Sequence, residues 1–193
     1  MSETQIHFYP SEPLVALLGN PNCGKTALFN LLTGSRQKVA NYSGVTVERK
    51  EGQLSLESGK NIRILDLPGA YSLYPRSLDE RVTCNVLLGR AEGEKRPDLV
   101  LCILSAMNLR RNLRLVLAAK RLGLPCIVVL NMVDIAKRQG VQIDTAALSQ
   151  ELGLPVITSV GIQSDGANGI KSFLSQLDWR NLNHLRTGTG DAT

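Results

Sequence analysis

Gly19-Asn20-Pro21-Asn22-Cys23-Gly24-Lys25-Thr26 fits the spacing G-x-x-x-x-G-K-[ST], follows the apolar run Leu14 to Leu18 and opens a helical pattern at Lys25. These residue types suit the cradling of phosphates. Gly19 and Gly24 let the backbone wrap an anion with its N–H groups turned inward, Lys25 reaches the β and γ oxygens, and the Thr26 hydroxyl is placed to ligate Mg2+. The loop from Gly19 through Ala27 is therefore read as a nucleoside triphosphate site. After the run Asn61–Leu65 comes Asp66-Leu-Pro-Gly69, a carboxylate at a strand end with a flexible glycine just beyond it. Asp66 can hold Mg2+ through water and the Gly69 N–H can meet a γ-phosphate, so the segment is expected to move when that phosphate leaves. D-x-x-G alone is a turn signal; its position at a strand end downstream of a phosphate loop gives it the second meaning.

A third loop, Asn131-Met132-Val133-Asp134, follows the apolar run Cys126–Leu130. The Asp134 carboxylate can accept from both N1–H and N2–H2 of guanine, a donor pair that adenine lacks. A buried polar group left unpaired costs about 1–3 kcal/mol, so such pairing rejects the wrong base. Guanine is thus the expected base, with Asp134 as its reader and Asn131 as an amide that braces the loop. The lesser reading is that Asp134 simply starts a helix as an N-cap, and the two roles are compatible. Ser159-Val160-Gly161 lies where a backbone N–H could reach guanine O6. Thr46, in a mobile segment of small residues (Asn41, Ser43, Gly44), is the candidate for a second hydroxyl ligand of Mg2+.

The elements that must hold these loops alternate along the chain. Strand-like runs at Leu14–Leu18, Gly52–Leu56, Asn61–Leu65, Leu99–Leu104, Cys126–Leu130 and Val156–Thr158 are interleaved with helical patterns at Lys25–Leu32, Leu78–Leu88, Leu109–Leu122, Thr145–Leu152 and Ile170–Leu177. Gly52–Leu56 and Asn61–Leu65 read as one hairpin. The nearly continuous apolar character of Leu99–Leu104 and Cys126–Leu130 fits parallel strands covered on both faces, so the fold class is α/β, a doubly wound and mostly parallel sheet. In such sheets ligands sit beyond the carboxyl ends of the strands, and the loops after Leu18, Leu65, Leu130 and Thr158 are expected to share one crevice. Residues 1–13 read as an N-terminal extension or edge strand, 14–178 as the nucleotide-binding domain, and 179–193 as a C-terminal tail that frays from Asn181 onward.

Composition narrows the class. A chain of 193 residues, 43% hydrophobic and 20% charged, suits one domain with a full core. Cys23, Cys84, Cys102 and Cys126 lack C-x-x-C spacing and read as reduced thiols in a cytosolic setting, Cys23 standing where the phosphate motif tolerates any residue. His7 and His184 stand apart from any cysteine or carboxylate cluster, which argues against iron ligation. No apolar run approaches the ~20 residues of a membrane span, and Met1 to Pro13 lacks a signal peptide's pattern, so a soluble piece of chain is expected. The net charge of +5 permits an acidic partner, but aromatics are 4% and the basic residues are scattered, so nucleic-acid binding is not expected.

Phosphate loop, switch threonine, D-x-x-G and N-x-x-D in this order resemble the translation-factor-like class of small GTPases. Val39-Ala-Asn-Tyr-Ser-Gly-Val-Thr-Val-Glu-Arg-Lys-Glu-Gly52, Asp66-Leu-Pro-Gly-Ala-Tyr-Ser-Leu73 and Ser77-Leu-Asp-Glu80 resemble the two switch regions of FeoB, the family of bacterial ferrous-iron transporters, in its amino-terminal G domain. The resemblance runs from about Leu14 to Asp178. It implies a P-loop GTPase fold of the Ras-like type with GTP/GDP and Mg2+. It also implies a helical regulatory domain and a polytopic membrane domain beyond this chain, placing the domain at the cytoplasmic face of the inner membrane. A small cytosolic accessory protein and a homo-oligomer are further partners it suggests. Three positions depart from related patterns. Met132 replaces the lysine of N-K-x-D, Ala40 and Ser43 stand where relatives often carry glycine and proline, and Ala70 stands where Ras-like proteins place a water-orienting glutamine.

Without that glutamine, hydrolysis is expected to be slow unless further positive charge stabilises the transition state. K+ could supply it. Asn22 matches the phosphate-loop asparagine of potassium-activated GTPases, with carbonyls near Asn41 to Ser43 completing the shell; the other reading of Asn22 is a good turn residue. The groups expected to act in hydrolysis are Lys25, Thr46, Gly69 and Asn22. Two rivals stay open: a nucleotide-sensing module whose turnover is incidental, and an Era-like GTPase acting on RNA or ribosomes, for which no RNA-binding appendage is visible.

Overall fold

In the computed structural model, which describes residues 11–161 and 163–186, the chain runs β1 (Leu14–Gly19), α1 (Lys25–Thr33), β2 (Gln37–Asn41), β3 (Glu48–Ser55), β4 (Asn61–Asp66), α2 (Leu78–Leu87), β5 (Leu99–Ser105), α3 (Leu109–Arg121), β6 (Cys126–Asn131), α4 (Val133–Arg138), α5 (Thr145–Leu152), β7 (Val156–Thr158) and α6 (Asn168–Gln176). Short 3-10 turns lie at Ala106–Asn108 and Asn183–Leu185. The strands form one sheet in the order β2-β3-β4-β1-β5-β6-β7. β1 pairs in parallel with β4 and β5, and β5 through β7 continue in parallel, while β3 runs antiparallel to β2 and β4. β1, β5 and β6 are buried along their whole length, which explains their unbroken apolar sequences.

Side-chain alternation splits the core into two layers. Leu14, Ala16 and Leu18 of β1 point to one layer with Val82 and Val86 of α2 and Leu115, Val116 and Ala119 of α3. Val15 and Leu17 point to the other, with Leu28, Phe29 and Leu32 of α1 and Ile170 and Leu174 of α6. The carboxyl ends of β1, β4 and β6 consequently open on the same edge of the sheet, where the phosphate, Asp66 and Asn131 loops begin.

Three segments differ from the sequence reading. Gln37–Asn41 carries no strand signal, yet it forms β2, an edge strand whose residues are mostly exposed and so show no apolar alternation. α4 is likewise unannounced, because six residues are too few for a helical period. The tail does not fray from Asn181. Leu185 is fully buried and Leu182 nearly so in the α1/α6 layer, and Asn183–Leu185 forms a 3-10 turn there. Two leucines three residues apart suffice to dock a segment too short to show a period. The possible edge strand around Ile6 and Phe8 lies outside the described residues.

Candidate functional site

β1 delivers the chain into the phosphate loop, and close packing leaves no room there for larger residues. A Cβ on Gly19 would stand 2.6 Å from Cys23 Sγ and 2.9 Å from Ile103 O. Gly24 has φ +85°, and a Cβ on it would lie 2.2 Å from Asn131 Nδ2. That amide donates to Cys23 O at 3.0 Å, and its Oδ1 accepts from Gly161 N–H at 2.9 Å. Asn131 thus ties the loops after β1, β6 and β7 together, as a bracing amide would. Lys25 Nζ donates to Asp66 Oδ1 and brings in the loop after β4. Cys23 is buried and burial pushes its thiol up, away from reactivity.

Two adjoining clefts border the loop. One, about 460 Å3, is walled by Asn20, Asn22, Lys25, Thr26 and Ala27 with Gly69 and Asp79. The other, about 350 Å3, is walled by Lys25, Thr46, Asp66 and Asp79 among others. The proposed phosphate and Mg2+ residues therefore face one region, with Lys25 shared by both clefts. Asn22 adopts φ 65°, a left-handed conformation that asparagine tolerates. Residues 41–43 line neither cleft, and the Tyr42 carbonyl accepts from Val45 N–H at 3.3 Å.

Met132 also adopts a positive φ, 63°, and caps α4 from that conformation. A long side chain held in the left-handed region costs about 1–3 kcal/mol, which marks the turn as overdetermined by its surroundings. Ser105 Oγ contacts Met132 Sδ at 3.5 Å. The kink turns Asn131 toward the phosphate loop and places Asp134 in the first turn of α4, so Asp134 is inside the helix and not its N-cap. Its carboxylate accepts from Arg138 at 2.7 Å. Arg138 is 70% exposed, so this i,i+4 pair is weak and leaves the carboxylate available. In the loop after β7, Ser159 N–H donates to Leu130 O at 2.8 Å and Gly161 N–H is taken by Asn131. Among the described residues the Val160 N–H is the one of these three not so engaged.

Gly69 and Ala70 pack beneath the phosphate loop: Ala70 N–H donates to Gly19 O at 3.1 Å and Ala70 is fully buried. The residues that hold this second switch escaped sequence reasoning as a mechanism. Glu80 Oε1 accepts from Tyr71 N–H at 3.1 Å and Oε2 from Arg76 N–H at 2.9 Å, while Ser77 Oγ accepts from Glu80 N–H at 3.1 Å. Those backbone donors, Arg76 first, pull the Glu80 carboxyl below its ordinary range. Ser77-x-x-Glu80 is a capping-box pattern and was the available signal. Arg111 of α3 stacks on the Tyr71 ring, 4.4 Å from its centroid. Asp79, in the first turn of α2, borders both clefts; the Ser77-Leu-Asp-Glu80 segment contains it but gave it no role.

A model of the family described as ferrous iron transport protein B matches residues 14–174. The Fe(2+) transporter FeoB of Escherichia coli K12 is 49% identical over 161 residues, which is 81% of this chain and 20% of that protein. FeoB of Salmonella typhimurium LT2 is 48% identical over the same length. The chain spans about one fifth of the length of these relatives. Among solved structures, a mutant of S. thermophilus NFeoB bound to mGDP superposes with a TM-score of 0.76 at 41% identity, covering 84% of this chain and 60% of that one. The cytosolic domain of T. maritima FeoB in its GMPPNP form gives 0.76 at 37% identity, covering 86% and 65%. The fold is that of a P-loop GTPase G domain.

Proposed function

The chain belongs to the ferrous iron transport protein B family, and from that premise we propose that it binds GTP and hydrolyses it slowly to GDP and phosphate. The observation that carries this reading is the tying of four loops into one site: Lys25 to Asp66, and Asn131 to both Cys23 and Gly161. Nucleotide binding by relatives, named for mGDP and GMPPNP, supports it.

In this reading the backbone of Gly19 to Ala27 wraps the phosphates and Lys25 neutralises the β and γ oxygens. Asp134 reads the N1–H and N2–H2 of guanine, and the Val160 N–H is the donor left for O6. The hydroxyls of Thr26 and Thr46 and the Asp66 carboxylate are hard oxygen donors and fit Mg2+, which they would hold. When bound, that ion neutralises charge on the β and γ phosphate oxygens. Water attacks the γ-phosphorus, the bond to the β–γ bridging oxygen breaks, and GDP leaves with that oxygen. Ala70 is buried and has no side chain to orient the water, so turnover is slow. The Asn22 amide oxygen fits K+ as one ligand at the mouth of the cleft. Residues 41–43 line neither cleft, so the potassium reading rests on Asn22.

The ordering of Thr46 and Gly69–Leu73 by the γ-phosphate is the signal to the rest of a longer transporter at the cytoplasmic face of the membrane. No helix among the described residues is long and apolar enough to cross a membrane. A helical regulatory segment, membrane-spanning domains, a small accessory protein or a second copy would receive that signal.

The test is phosphate release from GTP in potassium and in sodium buffer, for the parent and Asn22→Ala, with ATP as control. The expected result is turnover of GTP over ATP, stimulated by potassium and losing that stimulation in the variant. Equal rates in both salts would remove the cation role, and no release from GTP would remove the GTPase.

A further inference from the structure

Thr46 borders the cleft with Lys25 and Asp66, yet its own segment does little to keep it there: Ser43, Gly44, Thr46 and Glu48 are all exposed. The restraint comes from behind. Tyr42 and Val47 are buried and bracket the turn, Tyr42 N–H donating to Val47 O at 3.0 Å. Against them lies the loop between α2 and β5. Its Glu94 Oε2 accepts from Arg49 Nε at 2.6 Å, and its Oε1 stands 3.6 Å from Arg63. Glu51 pairs with both arginines from the sheet. The Glu51 and Glu94 side chains are 3% and 2% exposed. At the rim, Ser43 Oγ donates to Glu92 Oε2 at 3.3 Å, a second tie between the same loop and the same turn.

Three members of this network, Arg49, Glu51 and Arg63, sit on β3 and β4 and are fixed by the antiparallel ladder. Glu94 alone of the four comes from outside the sheet, and it gives Arg49 a second carboxylate beside Glu51. We propose that Glu94 is a positioning residue for hydrolysis: by holding Arg49 at the end of the first switch, it keeps Thr46 presented to the phosphate cleft. The inference rests on the GTPase reading. Without Glu94 the Arg49 guanidinium loses one of its two carboxylate partners; it turns to water, and the start of β3 with the adjoining turn goes with it. The Tyr42 ring lies in the same packing, and its hydroxyl has no partner among the described residues. Burial, and next the Glu94 charge, suppress the ionisation of that hydroxyl.

The test compares the parent with Glu94→Ala, the isosteric Glu94→Gln and Glu94→Asp. The readouts are single-turnover hydrolysis at saturating GTP, affinity for GDP, and hydrogen exchange at the amides of Tyr42 and Val45. Expected in the Ala and Gln variants is a loss of about tenfold or more in the hydrolysis rate with GDP affinity within about twofold, because only the nucleotide's γ-phosphate end depends on Thr46. Exchange at Tyr42 and Val45 should rise, and Glu94→Asp should recover part of the rate. If Glu94→Ala does not fold, Glu94→Gln, which keeps the volume and an acceptor, carries the test. Unchanged hydrolysis and exchange overturn the proposal, and so does a parallel loss of GDP affinity with the rate, which marks general damage to the fold. A parent that releases no phosphate from GTP overturns the GTPase reading, and the positioning role falls with it.

Discussion

Asn131 and Asp134 sit three positions apart but work on different problems. Asp134 is partly exposed and, among the described residues, pairs with the exposed Arg138, while Asn131 is buried and spends its amide on holding two other loops. Their substitutions should separate. Asp134→Ala should leave the melting temperature nearly unchanged and weaken GTP binding by roughly 10–100-fold, the worth of about 1–3 kcal/mol of polar pairing. Nucleotide titration with a fluorescent GDP checks this. Asn131→Ala strands the Cys23 carbonyl and the Gly161 N–H, and should cost about 2–4 kcal/mol of stability with a loss of GDP affinity besides. Chemical denaturation with and without GDP reads both. The motif residues were legible in the sequence because phosphate and guanine recognition need specific types at fixed short spacing. The partners of Asn131 were not, since they lie 108 and 30 residues away and only the sheet order brings them together.

At the scale of elements, apolar period decided what could be read. The buried strands and the longer helices announced themselves, whereas β2 and α4 did not: one is an exposed polar edge, the other a helix of six residues begun by a methionine in a left-handed conformation. The second switch belongs to the same class, because its order comes from Glu80 on α2 reaching back to Tyr71 and Arg76. Those bonds favour the ionised carboxylate, so its folded value lies below the ordinary 4.5. The stabilisation it gives is full above that ordinary value and is lost as pH falls through the lower, folded value. Glu80→Gln should therefore melt a few degrees below the parent at neutral pH, and the gap should close in acid below pH 4.5. Thermal unfolding of the two proteins across pH checks the sign.

Among the described residues a two-layer core carries the loops of Thr46 and Gly69, each held by a carboxylate from outside the sheet, Glu94 and Glu80. The last described segment is part of that core. Leu185 is fully buried, so Leu185→Ala should cost about 2–4 kcal/mol and lower the melting temperature by roughly 5–15 °C, leaving the affinity for GDP close to the parent's. A change of less than about a degree would mean the segment is not docked. Among the described residues two apolar layers lie on either side of β1. What composition could not supply was the docking of the short tail into the layer that also holds α1 and α6, which depends on two leucines and on where the sheet puts them.

We propose above that this site turns over GTP through the segment that carries Thr46. Magnesium-dependent phosphate release from GTP and from ATP, by the parent and by Thr46→Ala, tests it most directly. Expected are slow release from GTP, little from ATP, and loss of most of the GTP turnover in Thr46→Ala while GDP still binds. Release from ATP as fast as from GTP, or a Thr46→Ala variant that hydrolyses GTP at the parent's rate, would contradict it.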